Sequence, residues 1–473
     1  MSRTEKEFAI EVVQKLQNKG FQALFAGGCV RDQLLGLEPQ DYDIATDAKP
    51  DQVCELFPKT IQVGMAFGVV EVLGKNRSVA NLSKTKPSPF RIQVATFRED
   101  GEYLDGRRPE NVRFSNAEAD AKRRDFTING MFYDPIHDQI LDFVGGKKDL
   151  KSKIIRAIGC PEERFQEDKL RLMRAVRMSC RFQFQLEEQT RSAIQRFAPQ
   201  ISLVSQERIS DELKKILLHS TRAQGYSLLD QLGLLQEIFS DPKILGPINH
   251  SNQETPAFPK SASQKHVYQA LSNLDKYLEL FKVPISYPLA LAALFHTITE
   301  VPISKDSHFP EAEIYADLAG SKLIRKLSAQ LKLSNIDTDE LQWLMKYRYY
   351  FRNANSLPIN RLKMIMESPK TPELFVLASS ISTEEREFLQ GIEYAINFWN
   401  ANTQNNHKLV NPPPLIAGSH LISLGFAPGP DFKRILDRIR DEQLEGIITT
   451  FEQALEESRK LIKDIQLAKL KKL

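Results

Sequence analysis

The sequence predicts an α+β protein whose small mixed sheet is confined to the first third and whose remainder is helical. Three observations lead there. Short strand-patterned runs crowd together before residue 150, too close for the helical crossovers of a doubly wound sheet. From about Leu150 the apolar spacing turns helical and stays so. Two segments rich in Pro, Asn and Ser, GPINHSNQETPAFPKSAS (246–263) and ANTQNNHKLVNPPP (401–414), then punctuate the helical part as linkers or exposed loops.

In chain order, residues 4–19 carry helical periodicity (Phe8, Val12, Val13, Leu16) and end at Gly20, a C-cap residue. FQALFAGG reads as a strand entering a tight glycine turn, VRDQLLGL as a short helix closed by Gly36, and YDIAT as a second strand. KPDQVCELF is a helix begun at Pro50, and FGVVEVLG, FRIQVATF and ENVRFS are strand-like. Amphipathic helical stretches cover 163–198, 206–238, 262–282 and 286–298. A GFAPGP loop and a long charged helix ending in KLKKL close the chain, with no internal repeat.

Composition narrows the function. The 473 residues have room for several domains, and 41% hydrophobic with 26% charged is ordinary for a globular protein. Net charge is only +3, so attraction to nucleic acid must come from local patches. One lies between Lys147 and Arg181, with 11 Lys/Arg against 5 Asp/Glu. Cys29, Cys54, Cys160 and Cys180 show no C-x-x-C spacing, which argues against structural zinc or a disulfide framework and suits a reducing cytosol. The start, MSRTEKEFAIEVV, lacks a signal-peptide core, and no apolar run reaches the roughly 20 residues of a membrane span. The expected setting is cytoplasmic, without membrane contact.

Three constellations can carry chemistry. In GGCVRDQLLGLEPQDYDIATD (27–47), Asp41 and Asp43 at i, i+2 on a strand would share a face. Paired hard oxygen ligands suit Mg²⁺ rather than zinc, although D-x-D also suits a polar turn. The Gly27–Gly28 turn and Arg31 beside it would meet a phosphate. In AKRRDFTINGMFYD (121–134), a basic pair, Arg123 and Arg124, precedes Asp125 and Asn129, an acceptor and an amide for sugar or base contacts; a plain surface pair gives the same pattern. In ERFQEDKLRLMRAVRMSCRF (163–182), Asp168 and Arg171 are spaced as neighbours on one helix face, with Arg174 and Arg177 continuing the row. A salt-bridged solvent face would look alike. Yet Asp only accepts and Arg only donates. The pair matches the Watson–Crick edges of cytosine and adenine and opposes those of uracil and guanine.

Together GGCVRDQLLG with DYD, RRDFTING and EDKLRLMRAVR resemble the class II tRNA nucleotidyltransferase and bacterial poly(A) polymerase family, clearly over about residues 20–220. YLDGRRPENVRF (103–114) looks like the family's flexible loop, VSQERISDELKKIL (204–217) like its next helix, and 412–446 like tail segments of some members. The resemblance implies a nucleotidyltransferase-fold head (1–150). An elongated all-helical neck (151–225), a degenerate HD-like, RNA-binding body (226–400) and a tRNA-binding tail (401–473) would follow, hook-shaped as a whole. It implies that Asp41 and Asp43 are catalytic and hold Mg²⁺, and that Gly28 and Arg31 contact the triphosphate. Arg124 and Asn129 would contact the nucleotide, Asp168 and Arg171 would select C or A, and Arg174 and Arg177 would contact phosphates or support the pocket. The implied reaction adds C, C and A to the tRNA 3′ end from CTP and ATP, releasing pyrophosphate, with tRNA bound through its 3′ end and acceptor arm and no obligate protein partner.

Two positions depart from the family pattern. Gln93 in RIQVATFR stands where a third carboxylate is usual, which predicts reduced metal affinity. In LALAALFHTITE, His296 is followed by Thr297, so the His-Asp pair of a phosphohydrolase is broken and a second active site is not expected. Poly(A) addition is the alternative activity, and a catalytically impaired RNA-binding relic a further one. Met65-Ala66, where poly(A) polymerases tend to carry two basic residues, favours the tRNA enzyme, and the intact YLDGRRP favours addition of A as well as C.

Overall fold

A computed structural model of the chain describes residues 4–64, 67–74, 90–101, 112–239, 260–298, 311–382, 386–403, 412–426 and 428–470. Met65-Ala66, YLDGRRPEN of the predicted flexible loop, 246–259 and 404–411 of the predicted linkers, Ala427 of GFAPGP and 471–473 of the closing KLKKL lie outside these residues. The chain divides into two compact units, Met1–Ser240 and Asp241–Leu473.

The first unit opens with α1 (Glu5–Gln17). Thr4 and Glu7 close a reciprocal capping box at its start, Glu7 N–H donating to Thr4 Oγ1 (3.2 Å) and Thr4 N–H to Glu7 Oε2 (2.9 Å). At its end Gly20, with φ +87°, lets Phe21 N–H return to Leu16 O (3.2 Å) in a Schellman closure. β1 (Ala23–Ala26), α2 (Gly28–Leu34), β2 (Asp43–Thr46) and α3 (Pro50–Leu56) follow where patterning placed them. Next come β3 (Thr60–Gly64), β4 (Val69–Gly74), β5 (Phe90–Thr96), the paired β6 (Arg98–Asp100) and β7 (Val112–Phe114), and α4 (Ala117–Lys122). β8 (Met131–Asp134) and β9 (Gln139–Asp142) complete a seven-stranded sheet in the order β3-β4-β5-β2-β1-β8-β9. Within it only β2 and β5 run parallel.

Strand alternation gives this sheet two different faces. Ile44, Val70, Val72, Ile92 and Val94 are buried on the face that α1 and α3 cover, where Phe8 stacks on Phe90 at 6.2 Å. The opposite face packs Leu24, Ala26, Ala45 and Phe132 against Phe97 and α4. On that same face, two residues along β2 from Ala45, Asp43 stands in register with Gln93, and Gln93 with Glu71.

The helices after the sheet are shorter than the periodicity predicted. After α5 (Gly146–Ser152) and β10 (Ile154–Ile155), the stretch 163–198 is covered by α6 (Pro161–Glu167), α7 (Arg171–Phe182) and α8 (Glu188–Phe197), with β11 (Gln185–Leu186) between the last two. The first break is at Asp168, whose backbone is extended (φ −144°, ψ 105°) and whose carboxylate accepts Leu170 N–H at 3.1 Å. That Asx-type turn competes with helix continuation and starts α7. The stretch 206–238 likewise divides into α9 (Gln206–Leu217), α10 (Arg222–Gln231) and α11 (Leu234–Ile238).

The described residues of the second unit are helical apart from their connections. Tyr287–Phe295 is apolar on all sides and buried along its length, as a central helix must be. Lys260–Phe281, Asn335–Tyr347 and Thr371–Ile381 pack around it. His296 closes that helix, buried, with Nδ1 2.8 Å from Ala293 O. Gly418–Ser423, Pro430–Glu445 and Phe451–Leu470 enclose a separate apolar cluster that includes Leu421, Ile435, Ile439 and Ala454. No helix among the described residues is long and apolar enough to cross a membrane.

Candidate active site

A cavity of about 1270 Å³ lies within the first unit, walled by α2, the start of β2, the end of α4, α7 and the end of α9. Gly28, Arg31, Asp41, Asp43, Arg124, Asn129, Asp168, Arg171, Arg174 and Arg177 all line it. The folded chain therefore brings together residues separated by up to 149 positions in sequence (177 − 28).

Asp43 is the first residue of β2, and Asp41 precedes the strand by two residues, so the strand geometry expected for both holds formally only for Asp43. Alternation nevertheless extends to Asp41. Tyr42 is buried against Phe25, ring centroids 5.3 Å apart, and its two aspartate neighbours are turned outward. Burial, then the charge of Asp41, push the Asp43 carboxyl above its ordinary value, while Arg124 pulls it down. Burial and the same Asp41 charge raise Glu5 at the start of α1. Crowded carboxylates of this kind are relieved by a cation. Among the described residues no group of three or more His, Cys, Asp or Glu side chains is placed to hold a metal. Asp41 and Asp43 thus fit a hard, oxygen-seeking ion that completes its shell with water or substrate oxygens, as Mg²⁺ does.

The glycine turn is shaped by what leans on it. Gly27 has φ +73°, and a Cβ there would meet Arg124 Nη1 at 2.9 Å. Arg124 and Arg123 are clamped by Asp120 at 2.9 and 2.6 Å, and the Arg124 guanidinium lies over the Phe132 ring at 5.1 Å. Burial alone would raise the Asp120 carboxyl; Arg124 and Arg123 outweigh it and hold it low. Arg31 is buried, paired with Asp32 at 2.6 Å, donating to Asn129 Oδ1 at 2.5 Å and lying over Phe182 at 4.4 Å.

The arginines of α7 are each fixed from another element. Arg174 pairs with Asp125 at 2.5 Å, and Asp125 also accepts from Asn129 Nδ2 at 3.2 Å. Burial would raise Asp125, but Arg174 and Arg171 overcome it and bring it down to about 2. Arg177 pairs with Glu212 of α9 at 2.6 Å. Asp168 and Arg171 do not share a helix face, contrary to their i, i+3 spacing, because the chain breaks between them. Asp168 pairs with Arg208 of α9 at 2.7 Å. Arg171 pairs with Glu167 at 2.6 Å and donates to the carbonyls of Arg164 (2.9 Å) and Arg123 (3.3 Å). Both still reach the cavity.

Asp32, Asp120, Glu167, Arg208 and Glu212 were not singled out from sequence, yet they orient the residues that were. Glu167 with Arg171 and Asp120 with Arg124 are i, i+4 pairs, a signal that was available. Arg208 and Glu212 act across the packing of α7 on α9, which no local spacing reports.

With this geometry in view, residues 23–156 match the poly A polymerase head domain, and residues 183–245 the probable RNA and SrmB-binding site of polymerase A. A protein called CCA-adding enzyme from Lactobacillus helveticus (strain DPC 4571) is 40% identical over 256 residues, 54% of this chain and 61% of its own. One of the same name from Bacillus subtilis (strain 168) is 41% identical over 237 residues, 50% of this chain and 56% of its own. The chain thus spans little more than half the length of the curated relatives it matches. Its fold is that of the Bacillus stearothermophilus CCA-adding enzyme solved in complex with CTP, with a TM-score of 0.68 over 98% of this chain and 100% of that one at 24% identity. A Thermotoga maritima CCA-adding enzyme complexed with tRNA is similar too, with a TM-score of 0.59 over 96% and 95% of the two chains at 18% identity.

Proposed function

We propose that this chain, built on a poly A polymerase head domain, is a template-independent nucleotidyltransferase that adds C, C and A to the 3′ end of tRNA. CTP and ATP would be its substrates and pyrophosphate its by-product. The observation that carries the reading is the single cavity in which paired carboxylates face an arginine wall that also holds Asp168. Relatives named for CCA addition support it.

In this reading Asp41 and Asp43 hold Mg²⁺, which when bound favours deprotonation of the attacking hydroxyl and offsets charge on the leaving phosphates. Gly28 and Arg31 face the triphosphate, and Arg124 and Asn129 the nucleotide. Asp168 accepts from the amino group of C or A, and Arg171 donates to the adjacent ring nitrogen. Arg208 pairs with the Asp168 carboxylate and fixes its position, while Glu167 and two carbonyls fix the plane of the Arg171 guanidinium. A uracil or guanine edge would set carbonyl against carboxylate and N–H against guanidinium, leaving poorly solvated polar groups unmatched. Arg174 and Arg177, each clamped by a carboxylate, support the pocket wall as much as they contact phosphate. The division into head (1–150), neck (151–225), body (226–400) and tail (401–473), the last two serving tRNA binding, and a cytoplasmic setting belong to the same proposal.

The test is incorporation of labelled CMP onto tRNA lacking its last three nucleotides. Asp43→Asn is expected to reduce incorporation to background while leaving the thermal midpoint unchanged or raised. Undiminished incorporation by this variant would remove the metal-centred mechanism.

A further inference from the structure

We propose that Arg181 and Lys215 form a subsite for the pyrophosphate leaving group, at the end of the cavity away from the base-selecting pair. The inference rests on the function proposed above and deepens it. Both side chains line the cavity, and neither is among the residues given a substrate role above.

Helix α7 sets the direction. Arg171, Arg174, Arg177, Met178 and Arg181 all line the cavity, so one face of the helix runs along it. Ten residues at 1.5 Å each carry that face about 15 Å from Arg171 to Arg181. Arg171 opens the helix, with Asp168 just before it. Arg31, the residue that faces the triphosphate, stands near the other end. Its Nη1 is 3.7 Å from Met178 Sδ, and its guanidinium lies 4.4 Å over the Phe182 ring. Arg181 lies over the same ring at 5.1 Å. A nucleotide with its base at Asp168 and its phosphates at Arg31 therefore points its outer phosphates toward Arg181.

The charge there is unbalanced. Asp32 pairs with Arg31 at 2.6 Å and meets Arg181 at 3.7 Å. Glu212 pairs with Arg177 at 2.6 Å and with Lys215 at 3.1 Å. Four cations thus share these two carboxylates. Burial lowers Arg31, Asp32 raises it, and the charges of Arg181 and Arg177 lower it again, the mark of crowded cations. The 3.7 Å contact is too long for a hydrogen bond, so the Arg181 fork keeps donors for another anion. Exposure rises in order: the side chains of Arg31, Arg177, Arg181 and Lys215 are 4%, 15%, 33% and 56% exposed. The row leads from the buried site to water, and a charged product can leave along it without losing its partners.

When the RNA 3′-oxygen attacks the α-phosphorus, the bond from that phosphorus to the oxygen bridging to the β-phosphate breaks. The bridging oxygen keeps the electron pair, and the hydroxyl proton passes to solvent. Pyrophosphate thereby gains charge as it departs, which guanidinium and ammonium donors stabilise.

The full-length chain, titrated with inorganic pyrophosphate in Mg²⁺ buffer and followed by calorimetry, tests the subsite without turnover. Arg181→Gln is expected to weaken pyrophosphate binding roughly tenfold, the scale of one charge-assisted hydrogen bond. Lys215→Gln, at a wetter position, weakens it roughly threefold. Arg181→Lys keeps the charge and recovers part of the loss. CMP, which carries the base and the α-phosphate only, binds every variant as it binds the unsubstituted protein. Undiminished pyrophosphate binding in both glutamine variants, or an equal loss for CMP and pyrophosphate, overturns the inference. So does weakened tRNA binding with pyrophosphate binding intact, which would place RNA backbone phosphates at this wall instead. If the unsubstituted protein binds CTP and pyrophosphate and the variants match it, the subsite alone is misassigned; if it binds neither, the nucleotidyl-transfer reading fails as well.

Discussion

Asp168 shows how much a single carboxylate can be asked to do. One oxygen accepts Leu170 N–H and ends the helix break, and the other meets Arg208 beside the cavity. Replacement by alanine removes an acceptor to which the nucleobase amino group would donate, an interaction of about 1.5–3 kcal/mol for a charged partner. Discrimination of CTP over UTP, measured as the ratio of kcat/KM values, should therefore fall roughly ten- to hundredfold. An unchanged ratio would assign base selection elsewhere. Asp168 and Arg171 were legible as a candidate pair because of their types and closeness, and both line the cavity. Their separate partners were not, because Phe165, Leu170, Leu172 and Met173 continue an apolar rhythm through the break. Nothing in that rhythm announces an Asx turn.

At the scale of elements, the site depends on α7 being held against the sheet domain by Asp125 and against α9 by Glu212. Asp125→Asn should destabilise the protein by about 1–3 kcal/mol, no more, since Arg174 is over a third exposed and water replaces part of the lost partner. The pH dependence has a definite sign. Asp125 falls from its ordinary 3.8 to about 2 in the folded chain, so the unfolded chain binds more protons between those values. Its contribution is complete above about pH 4 and is lost as pH falls toward 2. In acid unfolding followed by circular dichroism, Asp125→Asn should flatten the slope in that window. Strand identity was readable for β1, β2, β4, β5 and β7 from alternation and turn punctuation. Of the others, β9 is a short run, and β8 lies in a segment equally open to strand or early helix. The row from Asp43 to Glu71 is a property of cross-strand register, which places a residue of β4 beside one of β2 through a third strand.

At the scale of the whole molecule, the cavity is gathered into one of the two units. All the cavity residues belong to the first unit, and the two matched domain families, 23–156 and 183–245, lie almost wholly in it. The helical second unit follows the same fold as solved CCA-adding enzymes, although its sequence carries no motif comparable to those of the head. Helical periodicity made stretches such as 262–282 legible, whereas 286–298, expected to be amphipathic, holds Tyr287–Phe295, which is apolar on all sides and buried and so is marked only by its apolar run. In the proposed reading this cavity builds a defined C-C-A end without a template. That is tested most directly by sequencing the 3′ ends made when the protein is given tRNA lacking its last three nucleotides, Mg²⁺, CTP and ATP together. Three added residues reading C, C, A, with extension stopping there, is the predicted result; a long run of A, or no addition at all, would contradict it.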